Sequence, residues 1–457
     1  MERILFVFGV AVLSFLYGVA AMKYQIFPYE LMREAKLGWE AWADVERHKK
    51  SFPNAFERFE ANAAPSPQAR RIGEGAGAER ILVTGGPYQL LERCPTWGCM
   101  AWITDRSGRI LHAWEVDLDA LWKGIRGFSG DVNRLSLYPV GMALGADGSL
   151  VVSFQGRDTY PIQIGIAKVD RAGKILWKRF DNSHHWITTD ERGNVYTPFA
   201  YFEKAPQGVP GTRVDLDCED GEAFMDGIRV LAPDGTPVRE IRLMDKFVAA
   251  GYRGLFYGLR NGCNPTHLNS VALASAEVAK HIPGAEAGDL LVSLREASAV
   301  ALLDGETGAV KYVLAQRTAA QHGPQFLPDG TVLVFDNLGG DSELGGSRVV
   351  RLDLVKGTAQ TVFPREAHEG LVPFFSQTAG HIDVSRDGRR ALVASTHQGR
   401  VVEIDVASGR PLWAYENTHD IGRFVEANDL STDQTRARFA TYGAYYVGDV
   451  KFLKEPS

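Results

Sequence analysis

Four segments set histidine or arginine among apolar, strand-like residues and small polar caps. They read Phe-Asp-Asn-Ser-His-His-Trp-Ile over 180–187, Asn-Pro-Thr-His-Leu-Asn-Ser-Val over 264–271, Leu-Val-Ser-Leu-Arg-Glu-Ala-Ser-Ala-Val over 291–300 and Gln-His-Gly-Pro-Gln-Phe-Leu over 321–327. A fifth, Thr-Ala-Gly-His-Ile-Asp-Val over 378–384, is similar but weaker. Each taken singly is more ordinary as a hydrogen-bonded structural residue than as a catalyst. Brought together they would form a different object. Neutral imidazole is a nucleophile and proton carrier near pH 7, since its unperturbed pKa is about 6.5. A guanidinium beside it grips two oxygens of an anion through its planar fork. Of the eleven histidines, His48, His112, His281, His368 and His419 lie in loops, repeat turns or charged surroundings and read as surface or packing residues.

For those segments to converge, an element must repeat and close on itself. Two short patterns recur. The first is an Asp, a turn Gly and apolar alternation ending on an aromatic. It stands at Asp105, Asp170, Asp304 and Asp405, with shorter versions at Asp234 and Asp353. The intervals are 65, 64, 70, 49 and 52 residues, averaging 60. The second is a turn followed by a β run, at Asp147-Gly148, Asp329-Gly330 and Asp387-Gly388, with a variant from Asp190 to Tyr196. Periods of about 40–50 residues with four short strands are the signature of propeller blades, here with longer loops. Six occurrences predict six blades, and 48 glycines in 457 residues suit such a turn-rich body. No Gly-x-Gly-x-x-Gly follows a strand and opens a helix, so a dinucleotide-binding fold is excluded.

Outside the repeats, Ile4 to Ala21 is an apolar run of 18 residues, long enough to cross a bilayer and longer than the usual core of a cleaved signal peptide. An uncleaved signal anchor over 1–22 is therefore expected, with residues 4–21 in the lipid. Lys23, Arg33 and Lys36 after the run weakly oppose export by the positive-inside rule. A large Cys-containing domain behind so short an N-terminal tail argues the other way. The expected location is the bacterial inner membrane, single-pass, with the body facing the periplasm. Leu31, Ala35, Trp39, Trp42 and Val45 recur at helical spacing within Tyr29–Ser51 and predict a juxtamembrane helix. Residues 53–77, rich in Ala, Pro, Gly and Ser, read as a linker. The expected division is thus 1–22 anchor, 23–77 helix and linker, 78–457 propeller.

Four cysteines, Cys94, Cys99, Cys218 and Cys263, allow two disulfides in three connectivities or four free thiols. The Cys-x4-Cys loop pinned by Pro95 and Gly98 is the better bridge. Their spacing is wrong for zinc. A net charge of −6 gives nothing to attract nucleic acid.

The segments over 180–187, 265–270, 288–300 and 321–330, with Phe-Asp-Asn-Leu-Gly over 335–339, resemble the bacterial arylsulfotransferase family, the PAPS-independent aryl-sulfate sulfotransferases. The similarity runs in order from about Cys94 to Val401 and is most specific at Thr-His-Leu-Asn-Ser and Gln-His. It implies a six-bladed β-propeller, without metal or nucleotide cofactor, that passes a sulfuryl group from an aryl sulfate to a phenol through a sulfated histidine. Carried over by motif, His322 is the nucleophile, and His267 and Arg295 hold the sulfate oxygens. The third histidine is His185 or His184; strand alternation puts the pair on opposite faces and both stay open. Asn269, Asn337 and His381 are candidates for substrate contact. The anchor, the Trp-bearing stalk, Trp186 and the Gly-Pro after His322 mark a divergent, membrane-anchored branch.

Two other readings remain. A non-catalytic, membrane-tethered propeller serving as a binding or scaffold subunit of a larger complex is favoured by the anchor with Trp39 and Trp42. A quinoprotein-like dehydrogenase is poorly supported, because the tryptophans recur irregularly. A homodimer or a membrane-complex partner is left open.

Overall fold

The computed structural model describes residues 2–24, 26–29, 31–32, 35–36, 39, 57–59, 62–130, 136–157, 159–204, 208–216, 218, 222–427, 429, 434–448 and 450–453. Its body is a six-bladed β-propeller. From axis to rim, the second blade is Leu137–Leu144, Leu150–Gly156, Gln163–Val169 and Ile175–Arg179. The third is Thr188–Thr189, Val195–Lys204, Glu222–Leu231 and Pro237–Arg242, and the fourth Leu268–Leu273, Leu290–Leu294, Ala299–Leu303 and Val310–Ala315. The fifth is His322–Phe326, Val332–Asp336, Arg348–Asp353 and Thr358–Phe363. All neighbouring strands within these blades are antiparallel.

The ring is closed by both ends of the chain. Ala444–Val447 forms the innermost strand of the first blade, against Arg80–Thr84, Ala101–Thr104 and Ile110–Trp114. The sixth blade, His381–Val384, Arg390–Ser395, Arg400–Asp405 and Pro411–Glu416, takes Gln68–Arg71 as a fifth strand. The stretch read as linker over 53–77 therefore contains a strand. Gln68, Arg70 and Arg71 lie exposed on the rim and only Ala69 is half-buried, so the strand carries no apolar signal for sequence reading. Glu57–Phe59 also pairs, with Arg436–Phe439.

The two sequence patterns are the two hairpins of a blade. The six Asp positions of the first lie between the third and fourth strands of the six blades. Each carboxylate caps its turn: Asp105 Oδ1 accepts from Ser107 and Arg109 N–H, and Asp170 Oδ1 accepts from Ala172 and Lys174 N–H. The second pattern joins the first two strands. It is absent from the fourth blade, where Ala276–Ala279 is helical, and from the first, where the chain ends meet.

Between blades the core is made of Val, Leu, Ile and Ala from successive sheets, with clusters at the third–fourth, first–second and fifth–sixth contacts. Trp114 is fully buried between the first and second blades, and Trp102 and Trp413 between the first and sixth. Glu2–Tyr24 is a 23-residue helix long and apolar enough to cross a membrane. Positions 29, 31, 32, 35, 36 and 39 are helical, while Trp42 and Val45 of the expected juxtamembrane helix lie outside the described residues. The sulfurs pair as Cys94–Cys99 and Cys218–Cys263.

Candidate active site

Propeller geometry explains why distant segments meet. Innermost strands all start at one end of the axis and pack against one another. His322 and His381 each open an innermost strand, His267 directly precedes one, and His185 stands three residues before Thr188. Residues leaving a second strand return to the same end: Arg295 follows Leu290–Leu294, and Asn337 follows Val332–Asp336.

The innermost strands approach closely at small residues. Gly323 follows His322 at φ +56°, and a Cβ there would stand 3.0 Å from the Gly380 carbonyl oxygen. A Cβ on Gly141 would stand 2.8 Å from Trp186 Cα. His185 and His267 themselves have φ of 54° and 43°, in the left-handed region that non-glycine residues seldom occupy. Each such residue costs on the order of 1–3 kcal/mol and persists only where surroundings impose it, as they often do at functional sites.

His322 is 2% exposed, and its Nδ1 lies 2.7 Å from Asn337 Oδ1. The Asn337 Nδ2 donates to the carbonyls of Ser376 and Ala379, so Oδ1 is the atom that faces the histidine. His322 must then carry its proton on Nδ1, leaving Nε2 with a free lone pair. Burial pushes its pKa down to about 3; the Asn337 hydrogen bond and the Ala320 carbonyl oppose this, and nearby Arg295 and His397 add to it. The ring is therefore neutral throughout the physiological range.

His267 is half-buried, with Nδ1 3.0 Å from Asn264 Nδ2. Arg295 donates its backbone N–H to the His267 carbonyl at 3.2 Å, tying the two together. Its Nη1 meets Glu296 Oε2 at 3.3 Å, while its Nε is buried with no hydrogen-bond partner. Burial, with Arg260 nearby, lowers its pKa against the pull of Glu296. Burial, then Arg295, His322 and His184, hold the His267 ring well below its ordinary value.

The histidine pair splits. His185 lies 5.6 Å from His267 between ring centres, with Gln155 Nε2 3.3 Å from both its ring nitrogens. His184 turns into the protein, 1% exposed, toward Asp226. His185 is thus the member beside the other histidines. Burial lowers its pKa far below 6.5, and His184, His267, His322 and Arg295 add to that.

Other expected contacts fall behind this group. Asn269 and Asn337 have no exposed surface, and Asn269 donates to the Gln321 carbonyl at 2.8 Å. His381 is 2% exposed, lying parallel to Trp186 at 6.0 Å and tilted against Tyr445 at 4.5 Å. These three residues hold neighbouring groups in place through the contacts just given. Gln321 acts likewise, its Nε2 donating to Ser293, Leu294 and Ala299 oxygens.

Sequence reading assigned no role to Trp186 and passed over His397. Trp186 donates Nε1–H to the Tyr442 carbonyl, and its ring lies 5.7 Å from His322, edge to face. His397 lies two residues past the second strand of the sixth blade, one beyond the position of Arg295 and Asn337, with Nε2 3.1 Å from Thr378 Oγ1. Superposing the repeats at that end of the second strands would have pointed to its neighbourhood.

Residues 254–418, which contain His267, Arg295, His322 and His381, match the sequence model of the arylsulfotransferase (ASST) family. Over those residues the chain is similar to that family. No functionally curated protein matches the sequence. Among solved structures, a Bacteroides caccae protein of unknown function is 15% identical, covers 74% of this chain and 93% of its own, and superposes with a TM-score of 0.44. TolB from Acinetobacter baumannii is 10% identical over 80% of this chain and 66% of its own, with a TM-score of 0.41. A virginiamycin B lyase from Staphylococcus aureus is 12% identical over 60% and 83%, with a TM-score of 0.34.

Proposed function

We propose that the protein transfers a sulfuryl group from an aryl sulfate to a phenolic acceptor, with His322 as the nucleophile. The observation that carries this is the neutral His322 ring, its proton held on Nδ1 by Asn337, in a group with Arg295, His267 and His185. The match of residues 254–418 to the arylsulfotransferase family model supports it.

In the first half-reaction the Nε2 lone pair of His322 attacks sulfur and the bond from sulfur to the aryl oxygen breaks. By analogy with phosphoryl transfer, charge spreads over the three equatorial oxygens, so fixed donors supply most of the stabilisation. Arg295 and His267 provide them. The bound anionic donor favours the imidazolium of His185, which takes up a proton as the donor binds and gives it to the departing phenolate, of pKa about 10. In the second half His185 removes the proton of the acceptor phenol as its oxygen attacks sulfur. The sulfur–nitrogen bond then breaks and His322 returns neutral. The apolar N-terminal helix would tether this chemistry to the bilayer, with the propeller in the periplasm.

The test is incubation with 4-nitrophenyl sulfate and a phenol. Wild type should release nitrophenolate and form the sulfated acceptor, and His322→Ala should do neither while keeping the wild-type melting temperature. Folded wild type that forms no sulfated product from a panel of aryl sulfates would refute the proposal.

A further inference from the structure

Behind His185 stands a second buried pair that the reaction above does not use. His184 Nδ1 lies 2.6 Å from His185 Nδ1. One of these nitrogens must donate and the other accept. On its far side His184 Nε2 is 3.4 Å from Asp226 Oδ1, within ion-pair reach though without an aligned hydrogen bond. Asp226 is 3% exposed, and its Oδ2 accepts from Thr266 Oγ1 at 2.6 Å and Leu268 N–H at 2.8 Å. Those two donors fix the direction of the carboxyl group. They also bind it to the strand that His267 precedes, so the third and fourth blades meet at this carboxylate.

From this row we infer that Asp226 and His184 are positioning residues that set the tautomer of His185 and stabilise its protonated form. The inference rests on the sulfuryl-transfer reading. Asp226 Oδ1 is an acceptor facing Nε2 of His184, so His184 carries its proton on Nε2. His184 Nδ1 is then the acceptor, and His185 donates from Nδ1. That leaves His185 Nε2 unprotonated, the state needed to take a proton from an acceptor phenol. When it does, the phenol O–H bond breaks and the His185 Nε2–H bond forms. The added charge is met by the hydrogen bond to His184 and, beyond it, by the Asp226 carboxylate within ion-pair reach, and the same proton later leaves with the departing phenolate of the next turnover. The logic is that of a carboxylate orienting a catalytic histidine, lengthened by one imidazole. The other groups that face His185 are His267, His322 and Arg295, all neutral or cationic, with the Gln155 amide. Asp226, through His184, is the negative charge that offsets them.

The experiment compares wild type with Asp226→Asn and His184→Gln on two donors, in the full-length protein. Phenyl sulfate has a poor leaving group that needs a proton, and 4-nitrophenyl sulfate has one that scarcely does. Expected is a loss on the order of 10²-fold in the phenolate-releasing step with phenyl sulfate and little change with 4-nitrophenyl sulfate. A loss equal on both donors shows a purely structural role and overturns the inference, as does no loss on either. Asp226→Glu, which keeps the charge, should recover part of the phenyl sulfate rate. A ¹⁵N-edited proton spectrum reads the pair without turnover: the far-downfield imidazole proton of wild type should vanish in His184→Gln and shift in Asp226→Asn. Wild type that transfers from neither donor refutes the sulfuryl-transfer reading instead, and an unshifted resonance in Asp226→Asn then refutes the row itself.

Discussion

Asn337 Oδ1 and His322 Nδ1 lie 2.7 Å apart, and the amide cannot turn over, because Nδ2 is bonded to the carbonyls of Ser376 and Ala379. A residue with no exposed surface therefore decides which nitrogen of His322 is free. Replacing it by Leu should remove that control while leaving the fold, lowering kcat on the order of 10²-fold with little change in KM. Asn337→Asp should act differently. A carboxylate beside Nδ1 favours the imidazolium, raising the His322 pKa from its folded value of about 3. The acid limb of the pH–rate profile should then move to higher pH, whereas wild type stays active well below pH 6. A profile unmoved by Asn337→Asp would refute this assignment.

His381 and Asp383 share one innermost strand and titrate in opposite senses. Burial lowers His381 to about 3, against the hydrogen bond to the Ala444 carbonyl, and raises Asp383 to about 7, against bonds from the Tyr446 and Val384 backbone. His381 binds its proton more readily unfolded, so the stability it supports is complete above about pH 6.5 and is lost as pH falls toward 3. Asp383 does the reverse: its contribution is present below about pH 4 and disappears as pH rises through 7. His381→Phe keeps the stacking on Trp186 but removes the first slope alone. At pH 7.5 the variant should melt below wild type, since the Ala444 carbonyl loses its donor at a cost of about 1 kcal/mol. Toward pH 5 the gap should close or invert, by at most about 1.4 kcal/mol per pH unit. Melting temperatures taken across that range check it, and parallel curves would contradict it.

How much of this could be read beforehand depends on where the determinant lies. Asp105, Asp170, Asp234, Asp304, Asp353 and Asp405 cap the outer hairpins by local hydrogen bonds, so their spacing alone announced six blades. His322, His267 and Arg295 were legible because each carries a local motif at the end of a strand. Non-local choices were not. Strand alternation could not say that His185 approaches His267 while His184 turns to Asp226, since the left-handed φ at His185 breaks the alternation. Asn269 and Asn337 were singled out by type, and sequence could not show that their amide groups donate to carbonyls of other segments. Gln68–Arg71 had no apolar face to betray it. The pairing of Cys218 with Cys263 joins residues 45 apart and depends on the third and fourth blades meeting.

That second disulfide bears on the site more than the first. Cys263 stands four residues before His267, and its carbonyl accepts from Phe224 N–H at 2.6 Å, so the bridge clamps the approach to the histidine onto the third blade. In the chain-entropy view a 45-residue loop contributes about 4 kcal/mol and the five-residue Cys94–Cys99 loop about 2 kcal/mol. Cys218→Ser with Cys263→Ser should accordingly lower the melting temperature more than Cys94→Ser with Cys99→Ser. It should also raise KM for the sulfate donor at temperatures where both variants are folded. Equal effects from the two double variants would show that the longer bridge does not hold the site.

Arg295 presents a buried Nε without a partner and an Nη1 only loosely engaged by Glu296, beside a histidine whose carbonyl its own backbone N–H holds. The rest of the group is neutral imidazole, and the chain's net charge of −6 repels an anion. Attraction for a sulfate ester must therefore come largely from this one guanidinium. Lysine keeps the charge but offers a point in place of a planar fork, so Arg295→Lys tests geometry separately from charge. Expected is a fall in kcat/KM on the order of 10²–10³-fold, most of it in kcat, because the second oxygen contact is needed where charge develops. Arg295→Gln, which loses the charge as well, should also raise KM and weaken competitive inhibition by inorganic sulfate. The side chain is 20% exposed and caps no strand, so both variants should melt within a few degrees of wild type. If Arg295→Lys retains wild-type kcat/KM, the fork is not used and the oxygens are held elsewhere, with His267 and His397 the next candidates to replace.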